Sequence, residues 1–173
     1  MNYGFIKVAS AIPSVRVGDV KYNTAQIENL IAQAEGQGVE VIVFPELSVT
    51  GYSCQDLFRQ EILLESAETA VMVLLDFTRK LNIIAVVGVP VVAGDLLLNC
   101  AVVIQQGEIL GIVPKTYLPN YNEFYERRWF ASSLDLCYEE IRFAGHKMVM
   151  PANSPIFTTS QGVRFGVEIC EDV

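Results

Sequence analysis

The sequence predicts an α/β layered fold built on a mixed sheet, and three observations point to it. Strand-like and helix-like stretches alternate along the first half of the chain, the order that builds parallel sheet units. Two later segments each read as a pair of strands joined at a Gln-Gly step, and such hairpins add antiparallel neighbours. The stretch "NIIAVVGVPVV" is apolar without alternation, as expected of a strand covered on both faces.

The elements follow in order. Phe5 to Ala11 reads as the first strand. In "NTAQIENLIAQAEGQG" Asn23 or Thr24 is the expected helix cap, Ile27, Leu30, Ile31 and Ala34 recur at helical spacing, and Gly36 and Gly38 end the helix. "EVIVFPE" is a short β-branched run. A second helix is expected from about Ser66 to Leu81, with Val71, Leu74, Leu75 and Thr78 on related faces. "LNCAVVIQQGEILGIVPK" gives two strands turning at Gln106-Gly107, and "SPIFTTSQGVRFGVEIC" gives two more turning at Gln161-Gly162, the last running as a buried strand up to Cys170. Between the hairpins, "TYLPNYNEFYERRWFASS" mixes aromatic and charged residues without a clean period, and it is expected to be a long functional loop with some helix. No repeat or linker divides the chain, so residues 1–173 are expected to be one domain or a piece of a larger one.

Composition narrows the partners. The chain has 173 residues, 51% of them apolar, and a formal charge of −8 from 20 acidic and 12 basic residues. Its basic residues form no run longer than Arg127-Arg128, which disfavours nucleic acid and anionic membranes as partners. The apolar runs are far shorter than the roughly 20 residues that a spanning helix needs, and the N-terminus lacks the pattern of a secretory signal. Cys54, Cys100, Cys137 and Cys170 are widely spaced with no C-x-x-C pair. Free thiols in a reducing cytoplasm are the expected setting, with no metal site.

Three reactive side chains stand where apolar strands run out: Glu46 after "VIVFP", Lys115 after "ILGIVP", and Cys170 after "VRFGVEI". Ligands in α/β sheets collect beyond strand ends, so the three can converge. A nucleophilic cysteine needs a base. The single histidine, His146, sits beside Lys147 in a segment that reads as a surface turn, which leaves Glu46 as the candidate. A nearby lysine lowers a thiol below its free pKa of about 8.5 and supplies positive charge where an oxyanion would form, a part that suits Lys115. Base, cation and thiol together suit attack on an amide or nitrile through a thioester. The backbone N–H after Cys170 would join Lys115 in holding the oxyanion, and Glu46 would protonate departing ammonia and then activate water.

The Glu-Lys-Cys order in these contexts resembles the nitrilase superfamily of C–N hydrolases. The strings "FPELSVTGYSCQDLF", "VPKTYLPNYNEFYERRWF" and "GVEICEDV" are similar to the N-terminal glutaminase region of the glutamine-dependent NAD+ synthetases. That resemblance implies a nitrilase-like α-β-β-α sandwich, present only as its N-terminal portion, and release of ammonia from L-glutamine for a synthetase domain that amidates deamido-NAD+. It gives Glu46, Lys115 and Cys170 the catalytic roles already read from the residues. It also implies that Glu171 and Tyr121 help hold the glutamine head group and that Tyr52 lines the pocket. A second carboxylate that supports the triad is usual in the superfamily. The spacing after Lys115 favours Glu123, with Glu126 as the alternative.

No cofactor is expected in this chain, because ATP and Mg2+ would belong to the synthetase domain. The full-length parent is expected to be a cytoplasmic homo-oligomer, and the 173-residue piece alone a poor glutaminase. Two other readings stand beside this one. A free-standing nitrilase-type amidase or carbamoylase would use the same triad on another small amide, and a non-catalytic α/β module would only dock onto partners.

Overall fold

The computed structural model describes residues 4–137, 140–151 and 154–173. Five strands form the main sheet in sequential order: β1 (Val8–Ser10), β2 (Val41–Val43), β3 (Ile84–Ala93), β4 (Leu96–Gln105) and β5 (Glu108–Pro114). β1, β2 and β3 run parallel, and β3, β4 and β5 are antiparallel. The mixed sheet expected from the sequence is therefore present. Gln106 and Gly107 both have positive φ, the conformation that a tight two-residue turn between twisted strands requires.

Two helices, α1 (Val20–Gly36) and α2 (Glu61–Thr78), cover one face of the sheet. Side chains alternate between the faces of a strand. Ala85, Val87, Val89 and Val91 of β3 and Leu98, Cys100, Val102 and Ile104 of β4 belong to the helix-side core. Ile84, Val86, Ala101, Val103 and Val113 point the other way, where Phe157 and Ile169 cover them. β3 is thus buried on both faces, as its unbroken apolar run implied. The hairpin β6–β7 (Glu140–Phe143, His146–Val149) adds Ile141 and Phe143 to the helix-side core. The short pair β8–β9 (Phe157–Thr158, Arg164–Phe165) lies on the opposite side.

Three local expectations need correction. α1 begins at Val20 and is capped by Asp19, whose side chain accepts from Tyr22 N. Asn23 instead lies buried inside the helix and bonds Arg16 N and O at 2.8 Å each and Val49 O at 3.0 Å. It staples the helix to the loop after β2, and that use of its amide displaced it from the cap. α2 starts at Glu61 rather than near Ser66, because Leu63 already lies on the buried face with Ala67, Ala70, Val71 and Leu74. The chain before Cys170 is not a buried strand. β9 stops at Phe165, exposed residues alternate beyond it with half-buried Val167 and buried Ile169, and Cys170 opens a 3-10 turn, Cys170–Asp172. Arg164 and Glu168 alternate with the apolar positions in that stretch, so only one side of it can be buried.

Among the described residues, no helix is long and apolar enough to cross a membrane. His146 opens β7 instead of lying in a turn, and its ring is 3.7 Å from the exposed carboxylate of Glu108.

Candidate active site

The sheet itself places the site. Register pairs Ala101 with Val113 and Cys100 with Pro114, and Lys115 N donates to Asn99 O at 2.8 Å. Asn99 and Lys115 therefore stand side by side at the end of the β4–β5 ladder. By strand parity both point away from the helices, toward the Cys170 segment.

Glu46 arrives from a loop pressed against β3. A Cβ built on Gly88 would lie 2.2 Å from Leu47 N, 2.6 Å from Pro45 O and 2.8 Å from the carbonyl carbon of Glu46. Only glycine allows that approach. The loop is laced to the strand there, with Val49 N donating to Gly88 O at 3.1 Å and Gly88 N to Ser48 Oγ at 3.3 Å.

Lys115 is fully buried and lies between two carboxylates. Its Nζ donates to Glu46 Oε1 at 2.7 Å and to Glu126 Oε1 and Oε2 at 2.8 and 2.9 Å. Burial pulls the ammonium's pKa down, but the bonds to Glu126 and Glu46 outweigh it and leave it above the usual lysine range. Glu126, also buried, is raised by desolvation against the opposing pull of Lys115 and Tyr52. Tyr52 donates to Glu126 Oε1 at 2.8 Å, and burial together with that bond holds its phenol well above its ordinary range.

The carboxylate beside Lys115 is thus Glu126 and not Glu123, which is exposed. A 3-10 turn at Glu126–Arg128 rotates Glu126 inward. A clasp from the neighbouring turn fixes it: Asp56 accepts from Arg128 Nε at 2.8 Å and from Trp129 Nε1 at 2.9 Å.

Cys170 has φ +53°, an uncommon conformation for a residue with a Cβ, and it lifts the thiol out of the extended segment before it. Asp172 holds the turn against the end of β5, accepting from Tyr117 N at 2.8 Å and from Thr116 N at 3.0 Å. The chain just after the thiol is thereby tied to the chain just after the ammonium. Cys170, Glu46 and Asn99 line one cavity of about 110 Å³.

Burial raises the thiol pKa above its ordinary value. Lys115 and the Glu171 N–H lower it, while Glu46 and Glu126 raise it. Lys115 does pull the thiol down, as the sequence implied, but burial above all, with the two carboxylates beside it, leaves the thiol above its ordinary value. Cys170 therefore holds its proton more tightly than an ordinary thiol, and attack calls for a base to remove it.

Tyr121 and Glu171 meet at the rim, where the phenol donates to the carboxylate. They line a wider cavity of about 540 Å³ with Thr116, Pro119 and Arg127. Among the described residues no cluster of three potential metal ligands occurs, and all four cysteines are free. Sequence reasoning passed over Asn99 and Asp172. Asn99 did carry a signal, as the one polar residue inside the otherwise apolar run "LLLNCAVVI".

A buried lysine between two glutamates, facing a cysteine on a sharp turn at the edge of an α/β sheet, defines a site for C–N bond chemistry. Residues 7–173 match the carbon-nitrogen hydrolase family, and the chain belongs to that family. Among curated relatives, a glutamine-dependent NAD(+) synthetase of Mycobacterium leprae is 36% identical over 176 residues, which cover 99% of this chain and 25% of the relative. The chain therefore spans about a quarter of that relative's length. Among solved structures, the glutamine-dependent NAD(+) synthetase of Cytophaga hutchinsonii superposes with a TM-score of 0.83 at 27% identity, over 97% of this chain and 28% of that one. An amidase from Nesterenkonia shares the fold at 20% identity, with a TM-score of 0.75 over 96% of this chain and 56% of that one.

Proposed function

We propose that this chain is the glutamine-hydrolysing part of an NAD+ synthetase and that it releases ammonia from L-glutamine through a thioester on Cys170. The observation that carries the reading is the Glu46–Lys115–Glu126 cluster beside Cys170, in a chain aligned over 99% of its length with named glutamine-dependent synthetases.

Each residue then has a task. Glu46 takes the proton of the neutral thiol as sulfur adds to the substrate carbonyl carbon. The oxyanion forms beside Lys115, whose charge is held in place by Glu126 whatever the state of Glu46. Glu46 returns the proton to nitrogen, the C–N bond breaks, and ammonia leaves. A water then gives its proton to Glu46 and adds to the thioester, and glutamate departs with the thiol restored. Preorganised donors of this kind act where charge develops. Glu171 and Tyr121 hold the glutamine head group in this reading, supported by their meeting beside Cys170, and Tyr52 acts through its bond to Glu126. In this reading the ammonia passes to a synthetase domain that amidates deamido-NAD+, and ATP and Mg2+ belong to that domain.

The test uses the full-length parent that carries the synthetase domain, and compares it with its Cys170→Ala and Glu46→Gln variants in ammonia release from glutamine and in synthesis from glutamine or from added ammonia. Both variants are expected to lose glutamine-driven synthesis and keep synthesis from added ammonia. Turnover of simple aliphatic amides with none of glutamine would instead make it a free-standing amidase, and equal loss of both syntheses would make Glu46 structural.

A further inference from the structure

We propose that Asn99 is a positioning residue for Glu46, fixing which carboxylate oxygen is free to take the thiol proton; this rests on the reading of Glu46 as the base. Asn99 Nδ2 donates to Glu46 Oε1 at 2.5 Å, and Lys115 Nζ donates to the same oxygen at 2.7 Å. Oε1 is therefore doubly occupied, while no donor among the described residues reaches Oε2. A half-turn that exchanges the two equivalent oxygens restores the same arrangement, whereas any other orientation of the carboxylate would lose both bonds. The bare oxygen is the one that can receive a proton.

Lys115 alone cannot impose that choice. Its ammonium is shared among three carboxylate oxygens on two residues, and a flexible stem lets such a group follow either partner. Asn99 is a short side chain on a central strand, 1% exposed, and its backbone carbonyl also receives Lys115 N. It gives the base a reference point fixed to the sheet.

A second observation shows that packing does not explain an asparagine here. Its Oδ1 is buried and has no hydrogen-bond partner among the described residues. An unpaired buried acceptor costs stability that an apolar side chain of the same shape would not. The residues that follow it on the same face of β4 are Ala101 and Val103, so a leucine would suit the position. What the amide supplies, and leucine cannot, is the bond to Glu46.

The experiment compares Asn99→Leu and Asn99→Asp with Glu46→Gln in the full chain, reading kcat and KM for ammonia release and the denaturation midpoint. Loss of a hydrogen bond to a charged group is expected to lower kcat by about tenfold or more, with KM near that of the parent. Asn99→Leu is expected to unfold at the same or a higher denaturant concentration, whereas a residue kept for packing would lose stability and shift kcat and KM together. Asn99→Asp, which turns the donor into an acceptor facing Glu46, is expected to lose at least as much turnover, and it carries the test if the leucine variant does not fold. Parental kcat in both Asn99 variants, with activity lost in Glu46→Gln, overturns the positioning role and leaves the base in place. A raised KM at parental kcat overturns it too, since Asn99 would then be a substrate contact. Activity surviving in Glu46→Gln removes the reading of the base itself.

Discussion

Gly88→Ala tests whether the sheet places Glu46 by close approach. The added methyl would meet only backbone: Leu47 N at 2.2 Å, Pro45 O at 2.6 Å and the Glu46 carbonyl carbon at 2.8 Å. Ordinary contact begins at 3.4 Å, so the loop must retreat by about 1.2 Å at its tightest point. Such a retreat would stretch the 3.1 Å bond from Val49 N to Gly88 O past bonding range. Overpacking of this kind costs about 1–3 kcal/mol, and a misplacement of about 1 Å at a reacting group costs roughly a hundredfold in rate. The assay is steady-state ammonia release from glutamine, with a denaturation curve on the same preparation. Gly36→Ala is the control, because a Cβ there meets nothing within 4 Å and an alanine at the end of α1 is expected to be neutral or slightly stabilising. A Gly88→Ala protein with the parental kcat would show that Glu46 either is not held by that contact or is not the base.

Further outcomes follow from the same geometry. Lys115→Met is expected to lower kcat by on the order of a hundredfold with little change in glutamine affinity, because a cation aimed at an oxyanion acts mainly in the transition state; a change confined to KM would make Lys115 a ground-state contact. Glu126→Gln is expected to reduce turnover while Glu123→Gln leaves it unchanged, since of these two only Glu126 bonds Lys115; the opposite order would reverse the assignment. Alkylation of Cys170 by iodoacetamide, without glutamine, is expected to accelerate as pH rises, with its midpoint above that of an ordinary exposed thiol, because burial and two carboxylates raise the thiol pKa. The thiolate gains population only as pH passes that midpoint, so a midpoint below that of a free cysteine peptide under the same conditions would contradict the raised thiol pKa.

Much of this was legible in the sequence because it is local. The Gln106-Gly107 turn shows itself through residue type, and the unbroken apolar run of β3 announces burial on both faces. β2 and β5 run in the same direction and so release Glu46 and Lys115 at the same edge of the sheet, but two strands separate them, and it is the loop over Gly88 of β3 that brings them together. What was not legible depends on contacts between distant segments. Glu123 and Glu126 are both acidic residues in a loop without a period, and the choice between them is made by Tyr52 and the Asp56 clasp, more than 65 residues earlier in the chain. Asn23 looked like a helix cap, since nothing nearby in sequence reveals that Val49 would claim its amide. The strand expected up to Cys170 failed for a reason visible in hindsight: Arg164 and Glu168 alternate with Phe165, Val167 and Ile169, the mark of a segment with one wet side.

The central claim is that Cys170 is the nucleophile, and covalent capture tests it most directly. The full chain is treated with a glutamine-shaped electrophile, a diazoketone in place of the side-chain amide, and digested for peptide mass mapping. The adduct is expected on Cys170, with Cys54, Cys100 and Cys137 unmodified and with labelling suppressed by excess glutamine. An adduct on another cysteine, or labelling of Cys170 that glutamine does not suppress, would contradict the account.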